Sequence, residues 1–233
     1  AQVPDAPAWR AHVPDAPRAD GSPLDRPGAL QRHATPTPSL DPTPANFFTR
    51  AGVGLTGVDR SSSSLGDVNG DGTLDLVITG QDANRNPTAT LYLGDGTGGF
   101  TDAQAGLTGV IFSSSSLGDV NGDGALDLVI TGSGANRDPT ATLYLGDGNG
   151  GFTDAQAGLT GVVQGSSSLG DVNGDGNLDL VITGSGANGR TATVYLGDGN
   201  GGFTDAQAGL TGVVTGSSSL GDVNGDGALD LVI

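Results

Sequence analysis

The nine residues Asp67-Val68-Asn69-Gly70-Asp71-Gly72-Thr73-Leu74-Asp75 decide the reading of this chain. Side-chain oxygens recur at positions 1, 3 and 5, and a glycine stands at position 6, as at the start of an EF-hand loop. Position 12, where that loop needs a bidentate Glu, is Ile78, and the flanking residues form strands rather than helices. The pattern therefore belongs in a turn between two strands. Asp67, Asn69 and Asp71 alternate along that turn, so their oxygens can converge. Gly70 and Gly72 permit the left-handed backbone that wraps a loop around an ion.

The motif recurs from Asp119, Asp171 and Asp222, a period of 51 to 52 residues. Periods of this length signal stacked supersecondary units such as propeller blades. Each unit reads as four short strands, typified by Ser61 to Val68, Leu74 to Gly80, Thr88 to Gly94, and Phe100 to about Leu107. Turns rich in Gly, Asn and Asp separate them. The fold expected is all-β: a β-propeller of four-stranded antiparallel blades, with three complete blades and partial blade strands at both ends. Small Ser and Gly suit the first strand at a crowded axis, and the Leu-Val-Ile run of the second suits burial between blades. The stretch Phe47 to Leu55 matches a fourth strand, and Leu231 to Ile233 falls inside a second strand. The expectation is a piece of a longer chain, or copies that self-assemble to complete the ring.

Residues 1–45 differ from the repeats at 46–233. They hold most of the Pro, a doubled VPDAP, Trp9, His12 and His33, and read as an extended linker or disordered tail. A docking peptide built around Trp9 is the alternative.

Composition bounds the function. The 233 residues carry net charge −17 and 43 Gly; every acidic side chain is Asp and every basic one Arg. Such acidity argues against nucleic acid as a partner. It fits cation binding or a salty environment. With no Cys, neither a disulfide framework nor a thiolate metal site can form. No apolar run reaches membrane-spanning length, and no intact signal peptide opens the chain. The missing initiator Met suggests a processed or excerpted chain.

Each loop supplies hard oxygen ligands. Besides Asp67, Asn69 and Asp71, the carbonyl at position 7 fits, because the residue there varies: Thr73, Ala125, Asn177 and Ala228. Asp75 at position 9 closes the set. The equivalents are Asp119, Asn121, Asp123 and Asp127; Asp171, Asn173, Asp175 and Asp179; and Asp222, Asn224, Asp226 and Asp230. An ion-free Asx-rich hairpin turn would explain Asn-Gly and Asp-Gly. It does not explain three carboxylates crowded into nine residues, whose repulsion destabilises an empty site. Many flexible oxygens favour Ca2+ over Mg2+, about one ion per repeat.

DVNGDGxLDLV followed by LYLGDGxGGF resembles the FG-GAP or VCBS-type repeat of bacterial surface proteins, a group that also includes the integrin α-chain propeller. The resemblance covers about Asn46 to Ile233. It implies a β-propeller with calcium in the hairpin between the first two strands of each blade, held by the residues named above. Family propellers usually have about seven blades, and this chain looks short beside them.

Two patches vary among otherwise similar copies. One precedes the first strand, at Asp59-Arg60-Ser61, Ile111-Phe112-Ser113, Val163-Gln164-Gly165 and Val214-Thr215-Gly216. The other joins strands two and three, at 81–87, 133–139 and 185–190. In an up-and-down blade these connections emerge on one face and the acidic loops on the other. The variable face, with Arg60, Arg85 and Arg137, is the expected partner surface; drift in tolerant surface loops is the competing explanation.

The repeats contain no His, which excludes Ser–His and histidine-zinc chemistry within them. Four equal copies do not make one unique catalytic constellation. The expectation is no enzyme, but a calcium-stabilised extracellular or cell-surface module for binding or adhesion, with a protein ligand. A carbohydrate-binding, lectin-like propeller and an accessory propeller of a larger secreted enzyme are the alternatives. Aromatic platforms for sugar are scarce. Tyr92, Tyr144 and Tyr195 recur on the third strand, and Phe100, Phe152 and Phe203 open the fourth, where packing explains both. Phe112 is the lone aromatic of a variable patch.

Overall fold

A computed structural model describes residues 54–233. The tail at 1–45 and most of the entering strand, 47–53, lie outside the described residues. Among the described residues there is no helix, and so none long and apolar enough to cross a membrane.

Three four-stranded units follow one another. The first contains β1 (Asp59–Gly66), β2 (Asp75–Gln81), β3 (Pro87–Gly94) and β4 (Phe100–Asp102). The second contains β5 (Ile111–Gly118), β6 (Asp127–Ser133), β7 (Pro139–Gly146) and β8 (Phe152–Asp154). The third contains β9 (Val162–Gly170), β10 (Asp179–Gly186), β11 (Gly189–Gly197) and β12 (Phe203–Asp205). A hairpin of β13 (Ser219–Gly221) and β14 (Asp230–Val232) ends the array. Within each unit every strand pairs antiparallel with the next, as in a propeller-like blade. A single pairing, Thr140 with Val162, stitches the second unit to the third, and Thr88–Val110 and Thr191–Val213 repeat that stitch. No sheet closes on itself among the described residues.

The core lies between successive units. Val68, Val77 and Leu91 of the first meet Val110, Leu128, Ile130 and Tyr144 at the second. Val120, Val129 and Leu143 meet Val162, Leu180, Ile182 and Tyr195 in the same way. A strand with a neighbour on both faces needs an unbroken apolar run, and all seven residues of β6 are buried. Each buried tyrosine also keeps its hydroxyl satisfied. The amides of Thr56, Thr108 and Thr160 donate to the hydroxyls of Tyr92, Tyr144 and Tyr195 at 3.1, 3.0 and 2.9 Å, tying each unit to the connector before it.

Two devices set the joint between units. The first is a serine ladder. Ser62 and Ser64 Oγ lie 3.1 and 2.7 Å from Ser115 Oγ, Ser114 and Ser116 Oγ lie 3.1 and 2.8 Å from Ser167 Oγ, and Ser168 Oγ lies 2.8 Å from Ser218 Oγ. First strands can approach this closely because serine is small and its hydroxyl both donates and accepts. The second is a glycine socket. A Cβ at Gly66 would stand 2.7 Å from Leu126 and 2.9 Å from Leu117; Gly118 receives Leu178 and Leu169, and Gly170 receives Leu220 and Leu229.

The fourth strand is shorter than its apolar pattern suggests. It ends at Asp102, not near Leu107. Gln104 adopts φ 53°, and its amide donates to Asp102 Oδ1 at 2.7 Å. This Asx-type turn leads the chain out of the ladder, and Asp154–Gln156 and Asp205–Gln207 repeat it.

Candidate metal centre and cleft

The acidic loops join β1 to β2, β5 to β6, β9 to β10 and β13 to β14. In the first, Gly70 and Gly72 have φ 71° and 83°, which turns successive amides inward. The amide of Asp71 donates to Asp67 Oδ1 at 3.1 Å and that of Gly72 to Asp67 Oδ2 at 2.9 Å. Asp71 N also reaches Asn69 Oδ1 at 3.1 Å, and Asn69 Nδ2 donates to Asp71 Oδ2 at 3.0 Å. Thr73 N and Oγ1 donate to Asp71 Oδ1 at 2.8 and 2.6 Å. Asp67, Asn69 and Asp71 are therefore brought together by the loop itself. The bonds from positions 5 and 6 to position 1, and from 5 to 3, recur at 119–125, 171–177 and 222–228.

Position 9 is placed differently. Asp75 is 1% exposed, and Asp127 and Asp179 are 0% exposed. Asp75 Oδ2 accepts from Val68 N and Oδ1 from Gly94 N, both at 2.9 Å. Asp127 accepts from Val120 and Gly146, and Asp179 from Val172 and Gly197. This carboxylate clamps the loop onto the end of the third strand. Burial pushes the Asp127 carboxyl above its ordinary range, its two amide donors oppose the shift, and the Asp123 and Asp119 charges add to it. Asp71 is held below the ordinary range by the Thr73 hydroxyl and amide, and Asp175 by the Asn177 amide and then the Asn173 side chain.

Among the described residues no three acidic side chains form a metal cluster by themselves. A cation would draw on the Asn oxygen and the position 7 carbonyl as well. The donor set fits such use: each carboxylate oxygen carries lone pairs beyond those its amide donors occupy, and every group offered is a hard oxygen.

The turns between the third and fourth strands share this end of the blades. Asp67, Gly70, Asp123 and Ala125 line a notch with Asp147 and Gly148. Asp147 is absent from the sequence-derived site set; its GDGNGG stretch signals a turn, and only the packing of adjacent units brings it beside Asp67. Its carboxyl is held below the ordinary range by the amides of Asn149 and Gly151.

The variable residues gather elsewhere, in a cleft of about 990 Å³. The first repeat lines it with Asp59, Arg60, Gln81, Asp82, Ala83, Arg85, Asn86 and Pro87. The second contributes Ile111, Phe112, Ser133, Gly134, Ala135 and Arg137, and the third Val163 and Gln164. Arg60 is held in place there. Its guanidinium lies 4.8 Å from the centre of the Phe112 ring, and its Nη1 donates to Gln81 Oε1 at 2.8 Å. Gln81 Nε2 in turn donates to the carbonyl of Arg85 at 3.0 Å. Gln81 and Asn86 fall within the variable patch at 81–87, and the structure brings that patch together with those of the second and third repeats.

The profile described as FG-GAP-like repeat matches residues 67–130, 119–182 and 171–233. No curated protein matches the chain.

Proposed function

Because the chain belongs to the FG-GAP-like repeat family, whose profile spans 67–233, we propose that it is a non-catalytic, calcium-stabilised extracellular module for binding or adhesion. One observation carries this reading. Residues that vary among the repeats, scattered from 59 to 164, converge in one cleft, whereas the first two acidic loops line a different notch. A surface that varies on a scaffold that does not is the arrangement of a binding module.

In this reading the blades form a propeller. Asp67, Asn69, Asp71, the Thr73 carbonyl and Asp75, with their equivalents in the other loops, hold Ca2+. The ion would supply charge neutralisation where the carboxylates of positions 1 and 5 share one loop. The chain's own residues do the rest: the glycines turn the amides inward, and position 9 ties the loop to the third strand. An affinity of about 10⁻⁴–10⁻³ M suits an extracellular setting. Sugar binding has weaker support, because Arg60 covers a face of Phe112, the aromatic side chain of the cleft. Self-assembly is part of the proposal. Leu65 and Leu74 are 58% and 59% exposed, and a Cβ at Gly221 would meet nothing within 4 Å. A further unit of this repeat, from a longer chain or from a second copy, would find both halves of a joint.

Thermal melting across a calcium titration tests the reading. Saturating calcium is expected to raise the melting temperature by roughly 5 °C or more, with chelator reversing the shift. Melting curves that coincide with and without calcium would overturn it.

A further inference from the structure

We propose that the cleft receives a carboxylate-rich peptide segment, gripped by Arg60, Arg85 and Arg137; this rests on reading the variable face as the binding face. The chain has 9 basic side chains against 26 acidic ones. Four arginines fall among the described residues, and three of them line this one cleft. Guanidinium groups bind carboxylates through paired N–H donors.

The backbone supplies an independent argument. Arg85 and Arg137 have φ 67° and 66°, a region costly for side chains other than glycine. The corresponding turn of the third repeat has Gly189 there, at φ 108°. At this one turn the strain is kept in two repeats and relieved in the third, which points to use of the Arg85 and Arg137 side chains. Arg60 is oriented by Phe112 and Gln81, which engage one face of its guanidinium and one of its five N–H donors. Among the described residues the remaining donors have no partner, which leaves them to a ligand.

The rest of the lining suits a peptide. Ile111, Phe112 and Val163 offer apolar contact, and Asn86 and Gln164 offer amides. Two carboxylates also line the cleft. Asp82 is occupied by the amides of Asn84 and Asn86 and by Asn86 Nδ2. Asp59 is exposed at the strand start and opposes an anionic ligand. Three cations against two anions leave the cleft net positive in a molecule of charge −17.

The test uses the whole chain in calcium buffer with three probes: a fluorescent oligoglutamate peptide, its oligoglutamine counterpart and a heparin oligosaccharide. Oligoglutamate is expected to bind, and oligoglutamine not. Arg85→Gly and Arg137→Gly are each expected to weaken binding about tenfold or more, while melting at the same temperature as the parent or higher, because glycine relieves the strain. Amide shifts of the bound state should map to the cleft. The proposal is overturned by equal binding of oligoglutamate and oligoglutamine, by unchanged affinity in both glycine variants, or by arginine-dependent binding of the heparin probe alone. Absence of peptide binding beside a normal calcium-dependent melting shift overturns the peptide and leaves the calcium module standing. Shifts centred on the acidic loops overturn both the cleft and the choice of face.

Discussion

Asp127 and Asp123 belong to the same loop but hold different things. Asp127 is buried with two amide donors, whereas Asp123 sits in the exposed loop. Asp127→Asn replaces one acceptor by a donor facing an amide and is expected to cost about 1–3 kcal/mol even in chelator. Asp123→Asn is expected to lower only the calcium-dependent part of the melting temperature. Melting both variants with and without calcium checks this. Thr183 offers a second contrast. Among the described residues its Oγ1 is buried without a partner, while Thr79 Oγ1 reaches Ser113 Oγ at 2.8 Å. The residue corresponding to Ser113 in the fourth copy is Gly216, which has no hydroxyl to offer. Thr183→Val is therefore expected to stabilise by about 1 kcal/mol and Thr79→Val to destabilise by a similar amount in denaturant unfolding. Asp82 has a pH consequence. The Asn86 amide foremost holds its carboxyl below the ordinary range, though burial opposes this. Its contribution to the turn is present above the ordinary value of about 3.9 and is lost as pH falls through the lower folded value. The Asn84 and Asn86 amide resonances should titrate with a midpoint below about 3.9.

Among the strands, the glycine sockets make the sharpest prediction. Gly118→Ala would bring a Cβ to 2.9 Å from Leu178 and 3.0 Å from Leu169, and is expected to cost about 1–3 kcal/mol. Gly221→Ala meets nothing within 4 Å and is expected to leave the melting temperature of the unassembled chain unchanged. Much of the strand plan was legible in the sequence. The second strand was clear because neighbours on both faces require an unbroken apolar run, and the acidic stretches were clear as turns because Asn-Gly and Asp-Gly break a strand. The fourth strand was overextended because Gln104 looks ordinary, and its left-handed backbone carries no residue-type signal. The clamp role of Asp75 was hidden because the Gly94 amide lies 19 residues away. The serine runs suggested a tight axis, but hydroxyl partners 50 to 53 residues apart depend on how the units register against each other.

Across the whole array, stability is a matter of joints between neighbours, as in other repeat proteins. Leu117 packs against the first core cluster, whereas its counterpart Leu65 is exposed. Leu117→Asp is expected to cost about 2–5 kcal/mol, and Leu65→Asp to stay within about 0.5 kcal/mol; equilibrium unfolding of the two variants decides. The three sockets at Gly66, Gly118 and Gly170 each take a chemically identical pair of leucines. Nothing in these sockets tells one neighbour from another, so this contact leaves the sorting to order along the chain. Two chains refolding side by side can therefore trade parts. The yield of correctly assembled monomer should drop as refolding concentration rises, while the molecules that do assemble melt where they always did.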